Sequence, residues 1–192
     1  MKKIEKGHNR CLRTSSTSTA KTLLQGFFVL LLTCSFSFAP LQEIEEYNIK
    51  AAFIYKVTNY IDWDQLPPNE FIIGVVGSSP ITGQLAEIAK TKTVRDKKII
   101  VRQFNKATEI GPCQILFISQ NSLLPLSDIL AKIPARGTLT ISEKEGYAKK
   151  GTAINFVQVD NRLKFEANPK GITNAGLKAS SQLLKLAIIV EQ

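Results

Sequence analysis

An apolar run, FIIGVVG at residues 71–77, limits the fold of this chain more than any other feature. A strand without alternating polar residues has no face suited to water, so other elements must cover it on both sides. Ser78, Ser79 and Pro80 follow directly and are typical of the start of a helix. A buried strand that leads into a helix predicts a layered α/β fold.

The chain after residue 40 alternates between helical and strand-like patterns, as such a fold requires. Helices are predicted over 43–62, 84–90 and 123–133, and further strands over 98–104, 113–119 and 138–142. Eight residues separate the second and third of the predicted strands, which is short for a parallel crossover. We therefore expect an irregular connection in this region.

The last third of the chain has a different pattern. Residues 153–159 and 163–167 alternate around the turn signal DNR at 160–162, which predicts a β-hairpin. Asn168 and Pro169 fit the cap and first position of a long C-terminal helix with an apolar side that runs through Leu183, Leu186 and Val190. The predicted fold class is α/β, with a mostly parallel sheet, an antiparallel edge hairpin and helices on both faces.

The N-terminal segment has the pattern of a signal peptide. Six basic residues and one acidic residue precede an apolar stretch at 26–38. This stretch is short for a membrane span, which needs ~20 residues. The alternatives are an uncleaved anchor or an N-terminal core helix. We predict a signal peptide over residues 1–39, followed by a single exported α/β domain over 40–192.

The composition after residue 39 argues against several classes of function. The net charge falls from +9 to +4 because the leader is basic, and no Lys/Arg cluster indicates nucleic-acid binding. The only histidine, His8, lies in the leader, so the domain has no histidine for acid–base catalysis and no Cys/His set for a metal. Cys113 remains as a lone cysteine in an apolar run, and we expect a buried thiol.

Polar residues follow three of the predicted parallel strands, where a crevice for a small ligand would form. These residues are Gly77, Ser78, Ser119, Gln120, Ser142 and Glu143. The serines after the first strand fit a helix cap better than an anion site, because no phosphate-binding motif accompanies them. The acidic pairs at 62/64 and 143/145 are interpreted as solvated loop charges.

Tyr147 lies in a Gly- and Lys-rich loop between two predicted strands. An exposed aromatic side chain there would be a suitable anchor for a partner protein. The alternative is a loop residue that folds back on the sheet. Tyr147 is the candidate partner-binding residue, with both conformations left open.

Seven segments of the chain carry a family resemblance. They are YNIKAAFIYKVTNYIDW at 47–63, FIIGVVGSSP at 71–80, KKIIVRQF at 97–104, CQILFIS at 113–119, LTISEKEGYAKKGTAINFV at 139–157, LKFEAN at 163–168 and AGLKASSQLLKLA at 175–187. They follow one another in the order found in the YfiR-like family of periplasmic proteins, which the chain resembles over nearly its whole length after the leader. The resemblance implies a compact α/β domain, no enzymatic activity and no cofactor. Some family members carry a cysteine pair near the loop at 143–151, which this chain lacks, so a redox switch is not expected.

The resemblance also implies a function. It predicts a periplasmic regulator that binds and represses the periplasmic domain of an inner-membrane signalling protein, either a diguanylate cyclase or a sensor kinase, with effects on cyclic di-GMP and biofilm. A homodimer is compatible with this role, and no nucleic acid is expected as a partner. The alternative hypothesis is a small-ligand sensor that uses the crevice at the strand ends. A hydrolase is the least favoured class.

Overall fold

The computed structural model describes residues 39–191. The predicted signal peptide at 1–39 lies outside this range apart from its last residue. The helices are α1 (Ala39–Val57), α2 (Ile81–Thr91), α3 (Leu126–Leu130), α4 (Pro169–Asn174) and α5 (Ser181–Leu186). The strands are β1 (Ile61–Trp63), β2 (Glu70–Val76), β3 (Thr93–Val94), β4 (Lys97–Phe104), β5 (Ile115–Ile118), β6 (Leu139–Ser142), β7 (Ile154–Val159), β8 (Arg162–Ala167), β9 (Leu177–Ala179) and β10 (Ile188–Ile189).

Eight strands form one mixed sheet in the order β10-β8-β7-β6-β5-β2-β4-β3. The strands from β4 to β7 along this order are parallel, and β7 and β8 form the antiparallel hairpin. The predicted fold class is confirmed. The connection from β4 to β5 passes β2 with only a 3₁₀ turn, Ala107–Glu109, which fits the expected irregular crossover.

Helices cover the sheet on both faces, as the apolar run at 71–77 predicts. Alternate residues of β2 and β5 enter two separate core clusters. One cluster contains Phe71 and Phe117 together with residues of α1 and α2, and the other contains Val76 and Leu116 with residues of α3. Because both faces of each central strand are buried, neither strand needs a polar face.

The first helix ends earlier than predicted. A continuous helix over 43–62 is wrong, because α1 ends at Val57, a turn follows, and Ile61 begins β1. The Thr58 hydroxyl donates to the Tyr55 carbonyl at 2.6 Å and so satisfies one carbonyl at the helix end. β1 then pairs antiparallel with β9 in a separate two-stranded sheet.

The prediction of one long C-terminal helix is also wrong. Asn168 caps α4 as predicted, since its side chain accepts the Gly171 N–H at 2.9 Å. Gly176 then takes a φ of +68°, in the left-handed region that ends helices. β9 follows, and Ser180 caps the separate helix α5 by accepting the Leu183 N–H at 3.2 Å. The predicted helix at 123–133 is likewise reduced to α3.

The predicted hairpin and the helix start after β2 are present. Asp160 and Asn161 have φ values of 51° and 56°, as a two-residue type I′ turn requires. Ser79 accepts the Ile81 N–H through its hydroxyl oxygen at 3.3 Å, so it supports the start of α2 as the capping interpretation predicts.

Candidate functional site

The carboxyl ends of β2, β5 and β6 lie side by side. Val76, Ile118 and Ser142 are in register across these strands, so the residues that follow them meet at one edge of the sheet. The structure thus brings the predicted crevice residues Gly77, Ser78, Ser119, Gln120, Ser142 and Glu143 together. The same edge receives polar side chains from α1.

Two of the three crevice serines, Ser119 and Ser142, are fully buried and have internal partners. The Ser119 hydroxyl donates to the Ser78 carbonyl at 3.1 Å and accepts the Asn121 N–H at 3.1 Å. The Ser142 hydroxyl donates to the side-chain oxygen of Asn155 at 2.5 Å. These hydrogen bonds hold the strand-end loops against the sheet.

Glu143 is the centre of this edge. Its side chain is 2% exposed, and its carboxylate lies 2.5 Å from the Lys50 ammonium. It also accepts the Tyr47 hydroxyl at 3.2 Å and the Gln120 N–H at 3.1 Å. The interpretation of Glu143 as a solvated loop charge is wrong, because α1 packs over the end of β6 and shields the carboxylate.

Lys50 is as deeply buried as its partner. Its side chain is 5% exposed, and it forms a second ion pair with Glu46, one helical turn earlier on α1, at 2.7 Å. Residues Glu46, Tyr47, Lys50 and Glu143 form a set that we call the polar latch. The latch ties α1 to the end of β6 by the Lys50–Glu143 ion pair and by the hydrogen bond from the Tyr47 hydroxyl to the same carboxylate.

Electrostatics keep Lys50 and Tyr47 of the latch in one protonation state near neutral pH. Burial lowers the pKa of Lys50, but the hydrogen bonds from its ammonium group to Glu143 and Glu46 outweigh burial, so the net pKa is raised. Burial, with the negative charge of Glu143, raises the pKa of Tyr47. Lys50 is therefore cationic and Tyr47 is neutral, and each charge of the latch has a partner.

A small cavity of about 160 Å³ opens beside the latch. Of the six predicted crevice residues, Gln120 and Glu143 line it, together with Phe156, Gln158 and Leu163. Ligand sites usually enclose roughly 300–1,000 Å³, so this cavity is small for an organic ligand.

Tyr147 and Cys113 both belong to the core cluster that contains α3. Tyr147 is 8% exposed. The interpretation of Tyr147 as an exposed anchor is therefore wrong, and the structure shows the alternative, a loop residue that folds back on the protein. Cys113 is 2% exposed, and burial raises the pKa of its thiol to about 12. The expected shielding of this cysteine is confirmed.

An apolar groove runs between α1, α5 and β8. It encloses about 380 Å³. It is lined by Ile49, Ala52, Phe53, Lys56, Val57, Tyr60, Phe165, Leu183 and Leu186. Leu186 is 76% exposed, Ile49 53% and Tyr60 37%, so large apolar side chains border the groove in contact with water.

Aromatic rings pack at the floor of the apolar groove. The Phe53 ring packs against Phe165 and Phe156, with ring centroids 4.7 Å and 5.2 Å apart. β10 follows α5 after one residue, and its side chains Ile188 and Ile189 are 40% and 47% exposed. Because β10 is the outermost strand of the sheet, the exposed apolar surface continues from the groove onto a sheet edge.

Sequence reasoning missed this groove. The predicted long C-terminal helix places Leu183 and Leu186 on its buried side, although only Leu183 is buried. The signal that could have found the groove is in α1: Ile49, Ala52 and Phe53 lie beside the buried stripe of Tyr47, Ala51 and Ile54 and make the helix apolar over too wide an arc.

In the described part of the chain, no group of three or more His, Cys, Asp or Glu side chains could hold a metal, and none of the helices could span a bilayer.

Comparison with known proteins gives the family. A search of curated proteins found no match. A sequence model of the YfiR/HmsC-like family matches residues 47–188, from within α1 to the first residue of β10. The chain therefore belongs to the YfiR/HmsC-like family.

Proposed function

We propose that this protein is a periplasmic regulator that binds and represses the periplasmic domain of an inner-membrane diguanylate cyclase. Membership of a regulatory family that acts through protein–protein contacts supports the role. The apolar groove is the observation that carries it. Monomeric soluble proteins rarely expose a large apolar surface of this kind, and such surfaces mark interaction sites.

The proposed occupant is an apolar segment of the partner's periplasmic domain. The groove offers aromatic and aliphatic side chains on a fixed floor, which is the composition of protein-interaction hot spots. Lys56 lines the groove, and Lys185 is exposed beside Leu186 on α5. A partner segment with carboxylates flanking its apolar residues would match these two charges.

The same surface explains how binding could repress. α1 forms one wall of the groove, and the polar latch ties α1 to the sheet. A partner segment bound in the groove would therefore contact a helix that is anchored to the sheet. A cyclase whose periplasmic segment is captured in one arrangement loses the movement that would transmit a signal across the membrane.

The first test measures binding of the purified protein to the isolated periplasmic domain of a diguanylate cyclase from the same cell. Ile49→Asp and Leu186→Asp place a carboxylate in the groove and should each weaken binding by about 2 kcal/mol or more. Leu123→Asp is the matched control, because Leu123 is 98% exposed and is not a groove residue. Equal loss in all three variants would show that the groove is not the interface.

The second test is made in the cell. Deleting the gene should raise cyclic di-GMP, and expression of the wild-type protein or of Leu123→Asp should restore the repressed level. Expression of Leu186→Asp should leave cyclic di-GMP high. Unchanged cyclic di-GMP after deletion, with no binding to the cyclase domain, would contradict the proposal and favour a sensor kinase or another receptor as the partner.

The small-ligand sensor is the weaker candidate. Four of the six crevice residues, Gly77, Ser78, Ser119 and Ser142, do not line the 160 Å³ cavity, and the carboxylate of Glu143 is engaged by Lys50 and Tyr47. A ligand at this edge would have to displace those contacts before it could bind.

A further inference from the structure

A second and larger cavity lies at the amino ends of β5 and β6. It encloses about 470 Å³, which falls in the range typical of small-molecule sites. Four segments of the chain line it, at 64–65, 112–114, 134–138 and 176–177. We call it the amino-edge cavity. None of the residues that line it belongs to the polar latch or to the apolar groove.

Arg136 borders this cavity, and hydrogen bonds hold the backbone of the residue that follows it. The Gly137 N–H donates to the Ala175 carbonyl at 2.7 Å, and the Trp63 indole N–H donates to the Gly137 carbonyl at 3.1 Å. A side chain at Gly176 would begin 2.5 Å from Nε of Arg136. Glycine at position 176 therefore leaves the room in which the guanidinium group lies.

The charge of Arg136 is only weakly engaged by the protein. Its ion pair with Asp64 measures 3.5 Å, and the two side chains are 73% and 54% exposed. Exposed pairs of this kind contribute about 0–1 kcal/mol, so a better placed carboxylate can replace Asp64 at little cost. Guanidinium groups bind carboxylates through two parallel hydrogen bonds when the geometry allows it.

The wall of the cavity supplies a second donor and apolar contacts. The Gln114 side-chain oxygen accepts the Ile72 N–H at 2.7 Å, which fixes the amide plane. Its Nε2 group has no acceptor among residues 39–191 and is left as a donor. Pro112, Pro134 and Leu177 add apolar surface. This combination suits a molecule with one carboxylate and a compact apolar body.

We propose that the amino-edge cavity binds a small free carboxylate, with Arg136 exchanging Asp64 for the carboxylate of the ligand. The site lies outside the proposed partner surface, and its test does not depend on the proposed function. Trp63 is the only tryptophan of the chain and donates to a residue that lines the cavity, so its fluorescence can report occupancy.

The experiment titrates the protein with cyclohexanecarboxylate and with cyclohexanecarboxamide, which has a similar shape and no charge. Trp63 fluorescence and calorimetry should both show saturable binding of the carboxylate, with a dissociation constant of about 1 mM or lower. The amide should bind about tenfold more weakly. Equal binding of the two probes, or no saturable signal from the carboxylate up to about 20 mM, would overturn the proposal.

Three variants assign the binding to the proposed residues. Arg136→Gln should weaken the carboxylate about tenfold and leave the amide unchanged. Asp64→Asn should tighten carboxylate binding by about threefold, because it removes the competing acceptor, and a merely structural role for Asp64 would not produce a gain. Arg102→Gln is the control, since Arg102 is a half-exposed arginine on β4 outside the cavity. Carboxylate binding that survives Arg136→Gln would overturn the proposal.

Discussion

The polar latch and the apolar groove share one helix and have opposite character. In the latch, α1 buries charged groups: Lys50 and Glu143 are almost fully shielded and bind each other. In the groove, the same helix exposes Ile49, and α5 exposes Leu186. Each charge of the latch has a partner within the chain, as buried charges require, whereas the groove leaves large apolar side chains in contact with water, as interaction sites do. We infer that the latch serves the fold and the groove serves binding.

The largest expected effect is on the latch. Lys50→Ala leaves the Glu143 carboxylate buried without its cation, and should lower the free energy of unfolding by about 3–5 kcal/mol. Urea denaturation measures this change. Lys56→Ala, an exposed lysine on the same helix, is the control and should cost less than about 1 kcal/mol.

The double variant Lys50→Met/Glu143→Leu separates a structural latch from a functional one. Apolar residues of similar size remove both charges, so most of the stability lost in Lys50→Ala should return. Partner binding of this folded double variant should equal that of the wild type. A stable double variant that no longer binds the partner would place the latch in the interface and break the contrast between the two regions.

Tyr147→Ala tests whether Tyr147 stabilises the core or binds the partner. Because the ring is buried with α3, truncation should cost about 3 kcal/mol in the free energy of unfolding. The affinity of the folded variant for the partner should not change, and Tyr147→Phe should be nearly neutral for both properties. Partner binding that is lost in Tyr147→Ala at full stability would restore this loop as an interface.

A double-mutant cycle tests whether one partner segment contacts both Ile49 and Leu186 in the groove. Ile49→Ala and Leu186→Ala should each weaken partner binding by about 1–2 kcal/mol with little change in stability, because both side chains are at least half exposed. If one partner segment contacts both, the two losses should be non-additive by about 0.5 kcal/mol or more. Strict additivity would indicate two separate contacts instead of one bound segment.

Cys113 adds a pH dependence of stability that develops only above pH 9. Burial raises the pKa of its thiol from 9.0 to about 12, so the native state keeps a proton that the unfolded state releases. Its contribution to stability is therefore complete below pH 9 and is lost as the pH rises toward 12. The raised pKa values of Lys50 and Tyr47 act in the same direction at high pH. Cys113→Ala should flatten the fall in the free energy of unfolding, and an unchanged slope would contradict the burial argument.

The sequence predicted the features that depend on local patterns. The apolar run at 71–77 predicted a strand covered on both faces, and Asp160-Asn161 predicted the hairpin turn, since each signal acts within a few residues. The cap at Asn168 was likewise correct. The predicted length of the helix that follows is wrong, because β9 pairs with β1, and this pairing depends on the distant segment at 61–63.

The candidate site was predicted only in position. The topology brings the six crevice residues to one edge, as parallel strands require, but the sequence could not show that α1 returns to bury Glu143 beside Lys50, 93 residues away. Nor could it show that Leu186 points to water, because a helical stripe looks the same whether a neighbour covers it or not.

The most direct test of the contrast between the latch and the groove compares the affinity of two variants for the partner's periplasmic domain, side by side. Leu186→Asp changes the groove, and Glu143→Gln keeps the shape of the latch while removing its central charge. We predict that Leu186→Asp loses about 2 kcal/mol or more of binding and that Glu143→Gln binds as the wild type does. Wild-type affinity for Leu186→Asp with lost binding for Glu143→Gln would contradict the assignment of binding to the apolar groove.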